Sequence, residues 1–236
     1  EDLRPQMARI RQLVDAFNIP RLEMEGYEAD DVLGSVARRM AAQGYGIKII
    51  TGDRDLLQLV TERILVSLPG KTLADAKDYF PKDVVEFLGV RPDQVVDYKA
   101  LVGDKSDNIP GVTGIGEKTA ASLLNTYDTL GNIYAHLAEL PDAARKKLEA
   151  GRQDAELSRE LATIVTDLEI SLDLEMARTS QFDPARVEAI FRELEFRSLL
   201  NRLQALYPIY HKATVGKTQQ LTLFPNLEAE PAHLVN

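Results

Sequence analysis

The chain has 236 residues, of which 44% are hydrophobic and 28% charged, and its formal net charge is -9. That length can bury one large core or two small ones, and no apolar run reaches the roughly 20 residues that a membrane-spanning helix needs. Cysteine is absent, which excludes disulfides and thiolate metal sites. The three histidines, His136, His211 and His233, are scattered and do not suggest a histidine-built metal site. An acidic balance argues against a generic nucleic-acid binder, though not against a protein whose carboxylates hold cations. The cysteine-free composition makes the cytoplasm the expected compartment.

Residues 2–17 place Leu3, Met7, Ile10, Leu13, Val14 and Phe17 on one helical face. A second helix is expected over Asp30–Met40, with Val32, Leu33, Val36, Ala37 and Met40 turned to a core. A strand at Ile47–Ile50, a short helix at Asp55–Val60 and a strand at Ile64–Leu68 follow. Helix, strand, helix, strand in this order predicts right-handed crossovers and a parallel sheet. Two strands do not make a stable sheet, so further strands are expected before residue 1. After Pro81 helices dominate, at 81–88, 92–102, 117–127, 129–140, 142–150, 154–165, 184–194 and 196–206. Leu168–Leu174 alternates weakly, as a strand or an extended connection. From Pro208 the periodicity ends in a linker. The organisation expected is an α/β core over 1–90, a helical subdomain over 91–207 with a helical hairpin at 92–128, and a linker over 208–236.

Three acidic clusters fall at the ends of these elements. GYEADD brings Glu28, Asp30 and Asp31 to a helix start, where Glu28 and Asp31, three apart, share a side. TGDRD puts Asp53 and Asp55 past the carboxyl end of a strand, where open α/β sheets bind ligands. GDKSDN puts Asp104 and Asp107 at a helix exit. Each has a plain structural reading: a dipole-complementing first turn, an Asx cap, or a loop at a helix exit. All three in one chain point instead to a gathered site, since seven carboxylates brought together need cations among them. Oxygen-only ligands suit Mg²⁺ or Mn²⁺, and two such ions serve phosphodiester hydrolysis.

Residues 103–120, GDKSDNIPGVTGIGEKTA, are dense in glycine. Gly111, Gly114 and Gly116 with Ile115 read as a tight hairpin before a helix whose first turn carries Lys118 and Thr119. Bare amides at a helix N-terminus accept a phosphate, so helix, hairpin, helix can hold a nucleic-acid backbone without reading bases. A helix–helix corner that needs glycine for close packing is the alternative. The Walker spacing G-x-x-x-x-G-K-[ST] is absent.

GYEADDVLGSVA, IITGDRDLLQLV and DYKALVGDKSDNIPGVTGIGEKTAASLL resemble the 5′-nuclease domain of bacterial DNA polymerase I, in the flap-endonuclease superfamily. FRELEFRSLLNRL resembles the end of that domain, so the resemblance runs from near residue 1 to about residue 207. It implies a PIN-like, Rossmann-like α/β core and a helical subdomain with a helix-hairpin-helix motif. By this resemblance Glu28, Asp30, Asp31, Asp53, Asp55, Asp104 and Asp107 are divalent-metal ligands and 111–120 is the duplex-binding hairpin. The first metal-binding aspartates of the family and its basic helical arch are expected before Glu1. No catalytic residue beyond the metal ligands is therefore assigned, and the chain is expected to be an amino-terminally shortened fragment. A polymerase portion is expected after Asn236.

The expected function is two-metal cleavage of DNA at 5′ ends and flaps by a monomer in the bacterial cytoplasm, in replication and repair. Rivals are a non-catalytic DNA-structure-binding module and a Mg²⁺ phosphohydrolase of small molecules. In the tail, Gln220, Leu221, Leu223 and Phe224 of QLTLF resemble a peptide that docks on the sliding clamp.

Overall fold

The structure is a computed structural model that describes residues 3–71, 75–178 and 181–205. The chain divides into two compact units, one from the residues up to Gly26 with those from Ile170 onward, the other containing Tyr27–Glu169. Among the described residues no helix is long and apolar enough to cross a membrane.

In the first unit α1 (Arg4–Ala16) and α9 (Pro184–Glu193) are joined by a helical run over 197–205. Pro184 at the start of α9 and the Asp183 carboxylate, which caps the amides of Ala185 and Arg186, fix that helix's beginning. Ala16, Phe182, Val187, Ile190, Phe191 and Leu203 form its buried core. Phe17 packs against Phe182 in a tilted pair with ring centroids 5.5 Å apart.

The second unit begins with α2 (Ala29–Ala42), entered through a capping box in which Glu28 and Asp31 engage each other's amides. Val32, Ser35, Ala37 and Met40 are its buried face. β1 (Ile47–Ile50) pairs in parallel with β2 (Ile64–Leu68), Ile47 opposite Ile64, as the crossover pattern predicts. A third strand, β3 (Lys77–Tyr79), runs antiparallel to β2 and extends the order β1-β2-β3. Sequence patterning misses it because Tyr79 is its single buried residue. Between β1 and β2 the turn Asp55–Leu59 is a 3₁₀ helix with Leu56, Leu57 and Leu59 wholly buried.

Pro81 opens α3 (Pro81–Leu88), and Gly89 in the left-handed region closes it. The expected helix at 92–102 is a 3₁₀ turn, Pro92–Gln94, followed by α4 (Val95–Val102), which is buried on nearly every side. α5 (Glu117–Tyr127), α6 (Leu130–Ala135), α7 (Asp142–Ala150) and α8 (Arg152–Ala162) complete a helical core around Leu101, Leu124, Ile133 and Leu148. The helix expected at 129–140 breaks after α6 into a 3₁₀ turn, Leu137–Glu139. The one expected at 154–165 ends at Ala162, where the β-branched run Thr163, Ile164, Val165, Thr166 resists helix. No strand forms at 168–174.

From Ala162 to Leu168 the chain is instead strapped to α2 and to the 3₁₀ turn. Gln58 Nε2 donates to the Ala162 carbonyl at 2.9 Å and its Oε1 accepts from Ile164 N. Ser35 Oγ accepts from Leu168 N at 3.1 Å, and Arg39 donates to the Leu168 carbonyl. Gly34 permits this approach, since a Cβ there would lie 2.9 Å from Ile164 Cγ2. The linker expected at 208–236 lies outside the described residues.

Candidate metal centre and glycine hairpin

Asp55 opens the 3₁₀ turn just past β1, and its amide donates to Asp53 Oδ1 at 2.9 Å, while Asp53 N donates to Thr51 Oγ1 at 3.0 Å. These Asx- and Ser/Thr-type bonds fix the turn that carries both carboxylates just past the strand end. Asp104 follows α4 after Gly103, which reverses the chain at φ 77°. A two-bond bridge then closes a loop: Asp104 N donates to the Ile109 carbonyl at 2.9 Å and Ile109 N to the Asp104 carbonyl at 2.8 Å. Asp107 stands exposed on this loop.

Asp55, Asp104 and Asp107 offer carboxylate oxygens that all lie within 4.8 Å of one another. Asp30 joins this group electrostatically: burial raises its pKa, and the charges of Asp53, Glu28, Asp31 and Asp107 raise it further. Asp53, Glu28, Asp31 and Asp107 thus all act on Asp30 by charge. Asp31 Oδ2 accepts from Glu28 N and Oδ1 from Val165 N at 2.8 Å, tying α2 to the strap. Asp104 Oδ1 accepts the hydroxyl and amide of Ser106 and Oδ2 the ammonium of Lys99. The Ser106 hydroxyl foremost, with Lys99, holds the Asp104 pKa down to about 2 against the opposing effect of burial.

Lys99 is the residue that sequence reading missed here. It lies on α4, only 9% exposed, and donates to Asp55 Oδ1 as well as to Asp104 Oδ2, the latter at 2.9 Å. A lysine on a helix is ordinary in sequence, and nothing local links it to Asp55, 44 positions away. An all-oxygen donor set that already draws in a buried ammonium fits a hard cation.

The hairpin residues divide by burial. Gly111 is buried at φ 62°, its amide donates to Ser158 Oγ at 2.9 Å, and its Cα lies against the Gly103 backbone. Ile115 is 5% exposed and belongs to the helical core. Gly114, Gly116, Lys118 and Thr119 are exposed. Gly116 is the N-cap of α5 without a side-chain cap, so the helix's first amides are left outward. Lys147, from α7, donates to the Gly114 carbonyl at 3.0 Å and brings a second cation to the turn that the local sequence does not reveal. Gln220, Leu221, Leu223 and Phe224, the clamp-peptide residues, lie outside the described residues.

Residues 1–89 match the family model of the 5′-3′ exonuclease N-terminal resolvase-like domain, and residues 90–185 match that of the 5′-3′ exonuclease C-terminal SAM fold. The chain belongs to the 5′-3′ exonuclease family. Among its relatives, DNA polymerase I of Caldicellulosiruptor bescii is 47% identical over 207 residues, covering 86% of this chain and 24% of its own length. DNA polymerase I of Bacillus subtilis is 42% identical over 236 residues, covering 95% of this chain and 27% of its own. The chain therefore spans about a quarter of these relatives. In fold the chain is similar to T5 5′-exonuclease with bound zinc, at TM-score 0.54 and 19% identity over 74% of this chain and 61% of that one. It is also similar to the catalytic core of Rad2 in complex with DNA substrate, at TM-score 0.55 and 16% identity over 86% of this chain and 68% of that one.

Proposed function

We propose that this chain acts as a metal-dependent 5′-nuclease, hydrolysing DNA phosphodiesters at 5′ ends and flaps, and serves within a DNA polymerase I in replication and repair. The observation that carries the reading is the gathering of an Asp55 oxygen from the turn after β1 with oxygens of Asp104 and Asp107, on the loop that leads into the hairpin, within 4.8 Å. The names of its relatives and of its structural neighbours agree with it.

In this reading Asp53, Asp55, Asp104 and Asp107, with Asp30 and Glu28, hold Mg²⁺ or Mn²⁺. Bound divalent ions supply an acidified water and neutralise charge on the leaving oxygen. The chain's own residues do the rest. Asp31 fixes the start of α2 and so the direction of Asp30. Ser106 and Lys99 fix Asp104. The outward amides of α5, with Lys118, Thr119 and Lys147, hold a phosphate of the duplex and set where the strand lies. Gly111 and Ile115 shape the turn from inside. QLTLF docks the tail on the sliding clamp, and Phe224→Ala is expected to abolish that contact in a pull-down.

A labelled 5′-flap duplex incubated with Mg²⁺ or Mn²⁺, with a chelator control and an Asp104→Ala/Asp107→Ala variant, tests the reading. Metal-dependent cleavage that the variant loses supports it. Binding without cleavage supports the second reading, a non-catalytic DNA-structure-binding module, which the full engagement of both Asp31 and both Asp104 oxygens favours.

A further inference from the structure

Of the seven carboxylates, those that form ion pairs among the described residues, Asp55 and Asp104, both form them with Lys99. Its side chain is 11% exposed and reaches out of α4, the most enclosed helix of the unit. Asp55 comes from the 3₁₀ turn after β1 and Asp104 from the loop after α4, so the ammonium joins two elements that share no backbone bond at this point. Asp55 Oδ2 and both oxygens of Asp107 keep no hydrogen-bond partner among the described residues, and one oxygen from each of Asp55, Asp104 and Asp107 lies within 4.8 Å of the others.

We propose that Lys99 is the cluster's resident counter-cation, a positioning residue that holds Asp55 and Asp104 within one cation's reach and against whose charge any divalent ion must bind. The inference rests on the metal site proposed above and adds a regulator of its affinity. Two effects of Lys99 oppose each other. It spares the ion the ordering of two short side chains, which is a small term because an aspartate has only two torsions to fix. It also places a like charge near the ion, and at a separation of about 4 Å that repulsion outweighs a tenfold change in affinity even at the dielectric of water. The repulsion wins, so Lys99 sets a threshold of metal concentration below which the carboxylates stay paired with the protein's own cation.

Mn²⁺ binding by titration calorimetry and electron paramagnetic resonance, with thermal melts in chelator, tests this on the wild-type chain, Lys99→Met, Lys99→Arg and Lys99→Met/Asp104→Asn. In chelator Lys99→Met is expected to melt lower, and adding Asp104→Asn to recover part of the loss, since one unpaired carboxylate is removed. With Mn²⁺, Lys99→Met is expected to bind about tenfold or more tightly than wild type, and to gain more in melting temperature. Lys99→Arg is expected to stay near wild type, which a purely steric role would not produce. Unchanged or weaker Mn²⁺ binding by folded Lys99→Met overturns the inference while leaving the metal site standing. No Mn²⁺ binding by any of the four chains overturns the metal site and the inference together.

Discussion

Replacing Gly111 by alanine tests how tightly the acidic loop is closed at its neck. A Cβ on Gly111 would lie 2.3 Å from Gly103 N and 2.5 Å from the Val102 carbonyl carbon, both backbone atoms with no rotamer to yield. The residue also sits at φ 62°, a left-handed conformation that costs a side-chain-bearing residue about 1–2 kcal/mol. Overpacking of a closed site adds about 1–3 kcal/mol. The sum, about 3 kcal/mol, corresponds to a fall of about 6–12 °C in Tm for a domain of this size. Gly116→Ala is the control: its φ is −102° and nothing lies within 4 Å of the added methyl, so only the weaker N-cap preference of alanine acts and its Tm is expected to fall much less than that of Gly111→Ala. Melts by circular dichroism in chelator give the first readout and Mn²⁺ affinity the second. Opening the neck between Gly103 and Gly111 displaces Asp104 and Asp107, so Gly111→Ala is expected to bind Mn²⁺ more weakly at temperatures where it is fully folded. A Gly111→Ala chain that melts within about 2 °C of wild type, with equal metal affinity, would refute the account of the neck.

Three further outcomes follow from the charges. Asp104 has a folded pKa of about 2, below the ordinary carboxylate value of 3.8, so its stabilisation is present above pH 4 and is lost as pH falls through 2. Denaturant melts of wild type against Asp104→Asn are expected to converge by about 1–2 kcal/mol across that window, after discounting for its partial exposure. Asp30 is shifted upward by burial and by its acidic neighbours, so it is a source of strain at neutral pH that protonation relieves as the pH falls toward its raised pKa. Asp30→Asn is therefore expected to raise Tm at pH 7 in chelator while weakening Mn²⁺ binding. For the hairpin, Lys118→Met and Lys147→Met are each expected to lower the slope of log affinity for a duplex against log salt by about 1, measured by fluorescence anisotropy in chelator.

The helices were legible because amphipathic spacing and breakers state them directly: Pro81 and Gly89 bracket α3, and Gly116 precedes α5. β3 was not, since three residues with one buried side chain carry no period. The carboxylates were legible as clusters at element ends, and three of them do converge. What stayed hidden is what only folding joins. Val165 N binds Asp31 across 134 positions, Lys99 binds Asp55 across 44, and Lys147 reaches Gly114 across 33. Gly111 and Gly114 look alike in the sequence, yet one is buried at a backbone crossing and the other is exposed under a lysine. Glycine marks a need for space without saying which neighbour needs it.

The contact between Gly103 and Gly111 ends the acidic loop on one side and begins the hairpin on the other. Asp104 stands one residue after Gly103, and the exposed turn at Gly114 stands three after Gly111. With both features set by one backbone crossing, a duplex held at the hairpin as proposed would be presented to the carboxylates at a constant offset. Under the proposed nuclease reading, the distance from a gripped phosphate to a cut one would then be set by that crossing and not by any base.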